Sequence, residues 1–414
     1  MGRSLHPRVF LPLALVAGAL LGCTAEDVQL LQPGGSELAV GLTVNVEAED
    51  ATLAEALGWS EGVPGAEVRL QRRGTGWVWE SALTDSAGTA RFPDILPGSY
   101  RLAGYRALTE EEVAELGDRR RAFGGGAYLE FSGPREHTLR LAADEPGSLV
   151  ISEIYGTQPN EAGHYFYHHY AEIYNNSDSE VYLDGMIYGV AYDWNYCDPA
   201  VWEQAERLVL DGGGVWGRFF YQFPGSGTEY PLAPGGSAVI ARDAVDHSQF
   251  FPGYPDLSQA DFELLGSADV DNPAVPNLLE VSPRSHPEGH GEDMSLGQLY
   301  FLCEAVDPES LPKALTPQRG YPLVRFPAGR LLDVVATHHY DAYIEQRIPQ
   351  CHPMVHPSFD QLEGGYVLPA IDVDFSIQRI VLGYTADGRA ILQDTNTSAI
   401  EFLRAHYTLG TLLQ

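Results

Sequence analysis

Short alternating segments, separated by turn residues, run through almost the whole chain and constrain its fold more than any other feature. In the stretch AEVRL, for example, Ala66, Val68 and Leu70 occupy every second position. A period of two places apolar side chains on one face of a β-strand. The chain also carries 44 glycines and 28 prolines, which supply tight turns such as DSAG and LPGSY between the segments. The pattern predicts an all-β fold.

The composition is that of a globular and strongly acidic protein. A length of 414 residues predicts two or three domains of about 150 residues each. Because 44% of the residues are hydrophobic and only 20% are charged, the chain can bury a substantial core. Lysine and arginine total 25 against 57 aspartates and glutamates, which gives a formal net charge of -32. Nucleic-acid phosphates require a basic surface, so the charge argues against nucleic acid as a partner.

The N-terminus predicts a secretory signal peptide and a lipid anchor. Arg3 and Arg8 precede an apolar run at residues 9–21, which is shorter than the roughly 20 residues that a membrane-spanning helix needs. The run ends in Leu-Leu-Gly-Cys at 20–23, which resembles a bacterial lipobox. We expect residues 1–22 to be a signal peptide and Cys23 to carry the lipid. Thr24 after the cysteine resembles the signal for sorting to the outer membrane. The sequence does not decide whether the protein faces the periplasm or the cell surface.

The first unit of the mature chain is predicted at residues 37–143, after a lipidated tether at 23–36. Its motifs TDSAGTARF and LPGSYRL resemble the Cna-B-like, carboxypeptidase-regulatory-like domain. That resemblance implies a prealbumin-like sandwich of seven strands that acts as a stalk or platform. One departure from it is the charged insertion ALTEEEVAELGDRRRAFGG, whose periodicity predicts a solvated helix.

The second unit is predicted at residues 148–414, after a linker at 143–147. Five motifs run in the order of a lamin-tail domain, an immunoglobulin-like sandwich, and long insertions separate them. They are SE at 152–153, EIYN at 172–175, VYLDG at 181–185, PGG at 234–236 and SIQR at 376–379. The resemblance implies a framework role for Glu172, Asn175 and Arg379, with a buried ion pair between Glu172 and Arg379. The polar stretch at 175–179 is interpreted as a hairpin turn.

The whole arrangement resembles a family of Gram-negative outer-membrane lipoproteins of unknown function, DUF4876. Its members are similar to accessory proteins found beside TonB-dependent receptors, and no catalytic residue is assigned to them. The resemblance therefore implies two tandem β-sandwiches and a non-enzymatic protein that binds a ligand or assists a transporter. Its expected partners are the membrane, through the lipid anchor, and a TonB-dependent receptor. No cofactor is expected.

The alternative is a metal-dependent hydrolase. The segment THHYDAYIEQRIPQCHPMVHP offers transition-metal ligands at His338, His339, Cys351, His352 and His356, although their spacing matches no named zinc motif. A second group, His164, His168 and His169, could join them. Asp269, Asp271 and Asn272 are oxygen ligands of the kind that calcium prefers, but the twelve-residue calcium loop is missing. No nucleophile elbow, zinc-protease motif or phosphate loop is present.

The remaining candidates for a structural or binding role are cysteines and aromatic residues. Cys197, Cys303 and Cys351 remain after processing, and the sequence does not decide whether any two of them pair. Cys303 lies in the apolar run QLYFLCEAV and is predicted to be a buried thiol. A dense group of aromatic residues fits either a core or an exposed binding platform: Trp194, Tyr196, Trp202, Trp216, Phe219, Phe220, Tyr221 and Phe223.

Overall fold

The computed structural model describes residues 39–72, 79–117, 120–144, 149–156, 167–191, 213–264, 271–283, 299–316, 320–337 and 375–410. These residues form strands with a few short helices, and the prediction of an all-β sandwich fold is confirmed. Several predictions lie outside the described residues. They concern the signal peptide and tether, Cys23, most of the linker, and the candidates His164, Trp194, Tyr196, Cys197, Trp202, Asp269, His338, His339, Cys351, His352 and His356.

Seven strands build the first sandwich. They are β1 (Val40–Ala48), β2 (Glu67–Arg72), β3 (Trp79–Leu83), β4 (Thr89–Ile95), β5 (Gly98–Ala107), β6 (Ala122–Phe131) and β7 (Arg135–Ala143). The hydrogen-bonded order is β3-β2-β5-β6-β7-β1-β4, and β1 runs parallel to β7. β6 and β7 pair only over two positions, so the sheet folds there and encloses a core. Leu42, Val44 and Leu139 from one layer meet Val68 and Leu102 from the other.

Two helices lie on this sandwich. α1 (Ala51–Ala56) begins at Asp50, whose side chain accepts hydrogen bonds from two backbone amides. α2 (Glu110–Leu116) begins with a capping box between Thr109 and Glu112 and ends at Gly117 in the left-handed conformation. Neither helix buries a residue among those described. The predicted solvated helix in the charged insertion is therefore confirmed.

The second sandwich has two large sheets. The strands of the first sheet are β8 (Leu149–Tyr155), β9 (Tyr170–Asn175), β14 (Ser237–Ala241), β15 (Phe262–Glu263), β21 (Phe375–Arg379) and β24 (Phe402–His406). Those of the second are β11 (Ile187–Ala191), β12 (Gly214–Gln222), β16 (Leu279–Glu280), β17 (Leu299–Cys303), β18 (Lys313–Leu315), β19 (Pro322–Pro327) and β20 (Leu331–Ala336). The first sheet has the order β15-β14-β9-β8-β21-β24 and the second the order β18-β19-β12-β11-β17-β20, with β16 beside β12.

Smaller elements complete this unit. Two ribbons pair β10 (Val181–Tyr182) with β13 (Pro231–Leu232) and β22 (Val381–Tyr384) with β23 (Ala390–Leu392). α3 (Ser398–Glu401) precedes β24, and short 3-10 turns lie at His247–Gln249, Pro308–Ser310 and Ala328–Arg330. Within the described residues, no helix is both long enough and apolar enough to cross a bilayer.

The core of the second sandwich lies between its two large sheets. Ile151, Ile173 and Ile240 from the first sheet pack against Tyr188 and Tyr300 from the second. Every residue of β8 and β9 is buried, so both faces of these strands are covered. Side chains alternate between the two faces of a strand. Odd-numbered residues of β9 therefore point into the core, and even-numbered ones point to the outer face.

The polar stretch at 175–179 is a turn, but the predicted hairpin is wrong. Its two strands do not pair with each other: β9 pairs with β8 and β14, whereas β10 pairs with β13. The Asn175 side-chain oxygen accepts hydrogen bonds from the amide and hydroxyl of Ser177, at 3.0 and 2.6 Å. Its amide group donates to the carbonyl of Leu232 at 2.8 Å. Asn175 thus ties the turn to a distant strand.

The two sandwiches touch each other at a glycine. A Cβ atom at Gly124 in β6 would lie 2.4 Å from Oγ1 of Thr395 and 3.0 Å from Cδ1 of Ile400. Thr395 precedes α3 and Ile400 lies within it. β6 of the first sandwich therefore lies directly against the second sandwich. Only glycine allows this close approach of the backbone.

Candidate functional site

Arg379 is the centre of a buried charged cluster. Its guanidinium donates to Asp333 at 2.6 Å and to Glu401 at 2.8 Å, and it lies 3.8 Å from Asp394. It also donates to the backbone carbonyl of Ile151 at 3.0 Å. The side chains of Arg379, Asp333 and Glu401 are at most 2% exposed. Burial raises the pKa of Asp333, although the arginine beside it acts in the opposite direction.

The expected ion pair between Glu172 and Arg379 is wrong. Ile173 and Ile377 both lie in the core between the sheets, so Arg379 points inward with Ile377 whereas Glu172 points to the outer face. β8 also separates their two strands. Glu172 is satisfied by Ser152, Ser237 and Gly410 instead, at 3.0, 2.8 and 2.7 Å. Burial, together with the nearby Glu153 carboxylate, raises the pKa of Glu172.

A buried histidine cluster lies at one end of the first sheet. The ring centroids of His168 and His169 are 4.7 Å apart, and those of His168 and His247 are 6.4 Å apart. The His168 ring stacks on Tyr254 at 3.9 Å with an interplanar angle of 2°. Nε2 of His247 lies 2.9 Å from the backbone carbonyl of Asp243. All three histidine side chains are fully buried.

Burial determines the charge state of this cluster. It lowers the pKa of His168 far below the ordinary value, and His169, His247 and Arg242 lower it further. Burial also lowers the pKa of His247, although the hydrogen bond to Asp243 opposes that effect. The two rings are therefore neutral at physiological pH. Among the residues that the structure describes, no group of three or more histidine, cysteine, aspartate or glutamate side chains is arranged to hold a metal ion.

The described part of the calcium candidate serves a turn. Asn272 donates to the backbone carbonyl of Ala244 at 2.8 Å, and its side-chain oxygen accepts from the amide of Ala274 at 3.1 Å. Asp271 accepts a hydrogen bond from Asn277 at 2.7 Å. These oxygens point to protein donors within the loop.

A surface groove opens on the second sheet. It has a volume of about 580 Å³ and is formed where the end of β12, the residue after β16 and the segment after β17 meet. Four of its lining residues are apolar and two carry carboxylates: Gln222, Val281, Ala305, Val306, Asp307, Pro308 and Glu309. This volume falls in the range of known small-ligand sites, about 300–1,000 Å³. Sequence reasoning missed the groove because its walls come from three separated segments.

Two further predictions concern the core. Cys303 is confirmed as a buried thiol outside any disulfide, and burial raises its pKa to about 12. The aromatic residues that the structure describes pack mainly inside. Trp216, Phe220, Tyr221 and Phe223 are buried, and Phe219 is half-buried. For these residues the core interpretation is correct.

Several site residues carried no recognisable signal in the sequence. Asp333, Glu401 and His247 lie outside the motifs that were singled out for function. Glu153 belongs to one of those motifs but was given no role. Asp333 and Glu153 interrupt the apolar runs LLDVVA and LVISEIY, which is a signal of burial, but no local pattern specifies the groups that they meet.

No protein-family model matches the chain, and no curated protein matches it. Among solved structures, the chain is similar to a DUF4876 family protein from Bacteroides thetaiotaomicron, at 20% sequence identity. That match covers 88% of this chain and 94% of the other, with a TM-score of 0.49. A DUF3823 family protein from Parabacteroides merdae matches at 10% identity, covering 51% and 84% of the two chains, with a TM-score of 0.17. A candidate adhesin from Bacteroides ovatus matches at 9% identity, covering 82% and 93%, with a TM-score of 0.20.

Proposed function

We propose that the protein is a non-enzymatic, lipid-anchored protein of the outer membrane that binds a ligand or partner beside a TonB-dependent transporter. The lipobox at 20–23 supports the anchor. The first sandwich lifts the second from the membrane, and the contact at Gly124 holds the two together.

The groove carries the binding part of this proposal. Burial of its apolar residues Val281, Val306 and Pro308 against a ligand is favourable, and Asp307 adds a negative charge at the same place, whereas Glu309 is already paired with Lys313. The complementary ligand is therefore an apolar group that carries a positive charge.

The anchor is tested by changing Cys23→Ala. Without the thiol no acyl chain can be attached, so radiolabelled palmitate should no longer enter the protein. The variant should also move from the membrane fraction to the soluble periplasmic fraction. An unchanged membrane fraction would contradict the anchor.

The groove is tested through Lys313, which is the only lysine in the chain. Lys313 forms an ion pair with Glu309 at the groove. Because acylation blocks the amine of Cys23, Lys313 is the main site for an amine-reactive cross-linker in intact cells. We expect a covalent product with a TonB-dependent receptor, identified by mass spectrometry.

Two variants control this experiment. Lys313→Arg keeps the ion pair and removes the amine, so the product should disappear. Adding Arg91→Lys to that variant moves the amine to the first sandwich, where Arg91 is exposed. The same product from this double variant, or no receptor product from the natural chain, would refute binding at the groove.

A further inference from the structure

Two buried glutamates lie side by side on the outer face of the second sandwich. Glu153 in β8 and Glu172 in β9 are register partners, and their side chains are 1% and 0% exposed. Within the described residues neither carboxylate forms an ion pair with a cationic side chain. Two adjacent carboxylates in a poorly hydrated site repel each other unless hydrogen-bond donors stabilise them.

Residues 408–410, which follow β24, supply such donors; we call them the strap. The backbone amide and hydroxyl of Thr408 donate to Glu153 at 3.0 and 2.6 Å. The backbone amide of Gly410 donates to Glu172 at 2.7 Å. Four further bonds come from the sheet itself, from Tyr170, Gln378, Ser152 and Ser237. Of the seven hydrogen bonds that the described residues donate to the pair, the strap thus makes three.

The backbone of the strap has an unusual conformation that directs its amides to the two glutamates. Leu409 has a φ of 48° and Gly410 a φ of 84°, so two successive residues are left-handed. Leu409 and Asn396 are the only described residues other than glycine with a positive φ. With this backbone the amide of Thr408 reaches Glu153 and the amide of Gly410 reaches Glu172, so one turn serves both carboxylates. A leucine adopts this unfavourable conformation only where its surroundings impose it.

We propose that the strap is a latch, in which a backbone anion-binding turn at the C-terminal end closes over Glu153 and Glu172 and holds β8 and β9 in place. The strap residues are half-buried or exposed, whereas the carboxylates beneath them are buried. Opening of the strap therefore brings water to the pair and loosens the outer face of the sheet. This role is independent of the groove and of the lipid anchor.

The test compares hydrogen exchange of β9 in full-length variants. Gly410→Ala opposes the left-handed backbone without a clash, because its Cβ would lie 3.8 Å from the nearest atom, in Val239. We expect exchange in Tyr170–Asn175 to accelerate about tenfold, whereas β1 in the first sandwich stays unchanged. Gly388→Ala is the matched control, since Gly388 has a φ of 87° and open space around it.

A truncation supplies an independent measurement. A chain that ends after Tyr407 should be cleaved faster by protease within β8 and β9, whereas a chain that ends after Gly410 should behave like the natural protein. If the shorter chain fails to fold, Gly410→Ala decides the question. Equal exchange of β9 in Gly410→Ala and Gly388→Ala would overturn the latch.

Discussion

Arg379 shows how much depends on a single side chain in this protein. Among the described residues it is the single cation beside three buried carboxylates, and it also binds the carbonyls of Ile151 and Gln393. The buried charge of Arg379 is tolerated because carboxylates and backbone carbonyls accept hydrogen bonds from its guanidinium. Removal of the arginine would leave Asp333 and Glu401 buried without their counter-charge.

We expect Arg379→Met to lower the free energy of unfolding of the second sandwich by about 3–5 kcal/mol. Arg389→Met is the matched control, because Arg389 forms ion pairs with the exposed Asp178 and Asp387. Solvent weakens such surface pairs, so this change should lower the free energy of unfolding by less than about 1 kcal/mol. Denaturant titration measures both values. Equal losses in the two variants would contradict the buried cluster.

His168 predicts a dependence of stability on pH. Its folded-state pKa lies below that of the unfolded chain, so below the unfolded value, near 6.5, unfolding takes up a proton. The histidine contributes stability above that pH, and the contribution is lost as the pH falls. His168→Phe keeps a flat ring against Tyr254 and should reduce the slope between pH 6 and pH 5 by about 1.4 kcal/mol per pH unit.

The comparison of slopes isolates His168 from other groups. The pKa values of Glu172 and Asp333 are raised, so they act in the opposite direction, but they are present in both proteins. His169, His247 and Arg242 surround the ring and also remain in the variant. Denaturant titrations at several pH values measure the difference. Parallel pH profiles in the two proteins would show that His168 does not titrate on unfolding.

Among the elements, the turn after β9 matters because it joins strands that belong to different sheets. The side-chain amide of Asn176 forms there the two hydrogen bonds that a paired strand residue would form. Its side chain donates to the carbonyl of Leu392 and accepts from the amide of Leu392, both at 3.0 Å. This contact ties the turn to β23, which lies more than 200 positions later in the chain.

We expect Asn176→Ala to lower the free energy of unfolding by about 2 kcal/mol, because it leaves two buried backbone groups of Leu392 without partners. Exchange of the Leu392 amide should accelerate. Asn45→Ala is the control, since the bond from Asn45 to Glu136 is exposed to water. If Asn176→Ala changes stability no more than Asn45→Ala does, the contact has no structural role.

For the whole molecule, the contact at Gly124 decides whether the two sandwiches move together. Thr395 cannot easily retreat from a larger side chain, because its hydroxyl donates to the buried Glu401 at 3.0 Å. The contact therefore couples the surface between the sandwiches to the charged cluster around Arg379.

We expect Gly124→Val to separate the sandwiches, which should raise the radius of gyration in solution scattering and split thermal unfolding into two transitions. Gly41→Val in β1 is the matched control, since no atom lies within 4 Å of its added Cβ. Its stability should stay within about 0.5 kcal/mol of that of the natural chain. A compact Gly124→Val variant with a single transition would contradict rigid coupling.

Local patterns in the sequence were sufficient to predict the class of fold and several individual features. The period of two and the turn residues predicted the strands, and the capping residues of α2 lie in the predicted insertion. The apolar run around Cys303 predicted its burial. These properties depend on residues a few positions apart, so they can be predicted without knowledge of the tertiary structure.

Only the tertiary structure decided which polar side chains meet. Arg379 and Asp333 are 46 positions apart, and Asn175 reaches Leu232 across 57. Alternation predicts that a residue faces inward or outward, but it does not specify the neighbouring strand. The expected pair of Glu172 and Arg379 was wrong for this reason: both residues belong to motifs of the family framework, yet the pleat places them on opposite faces of one sheet.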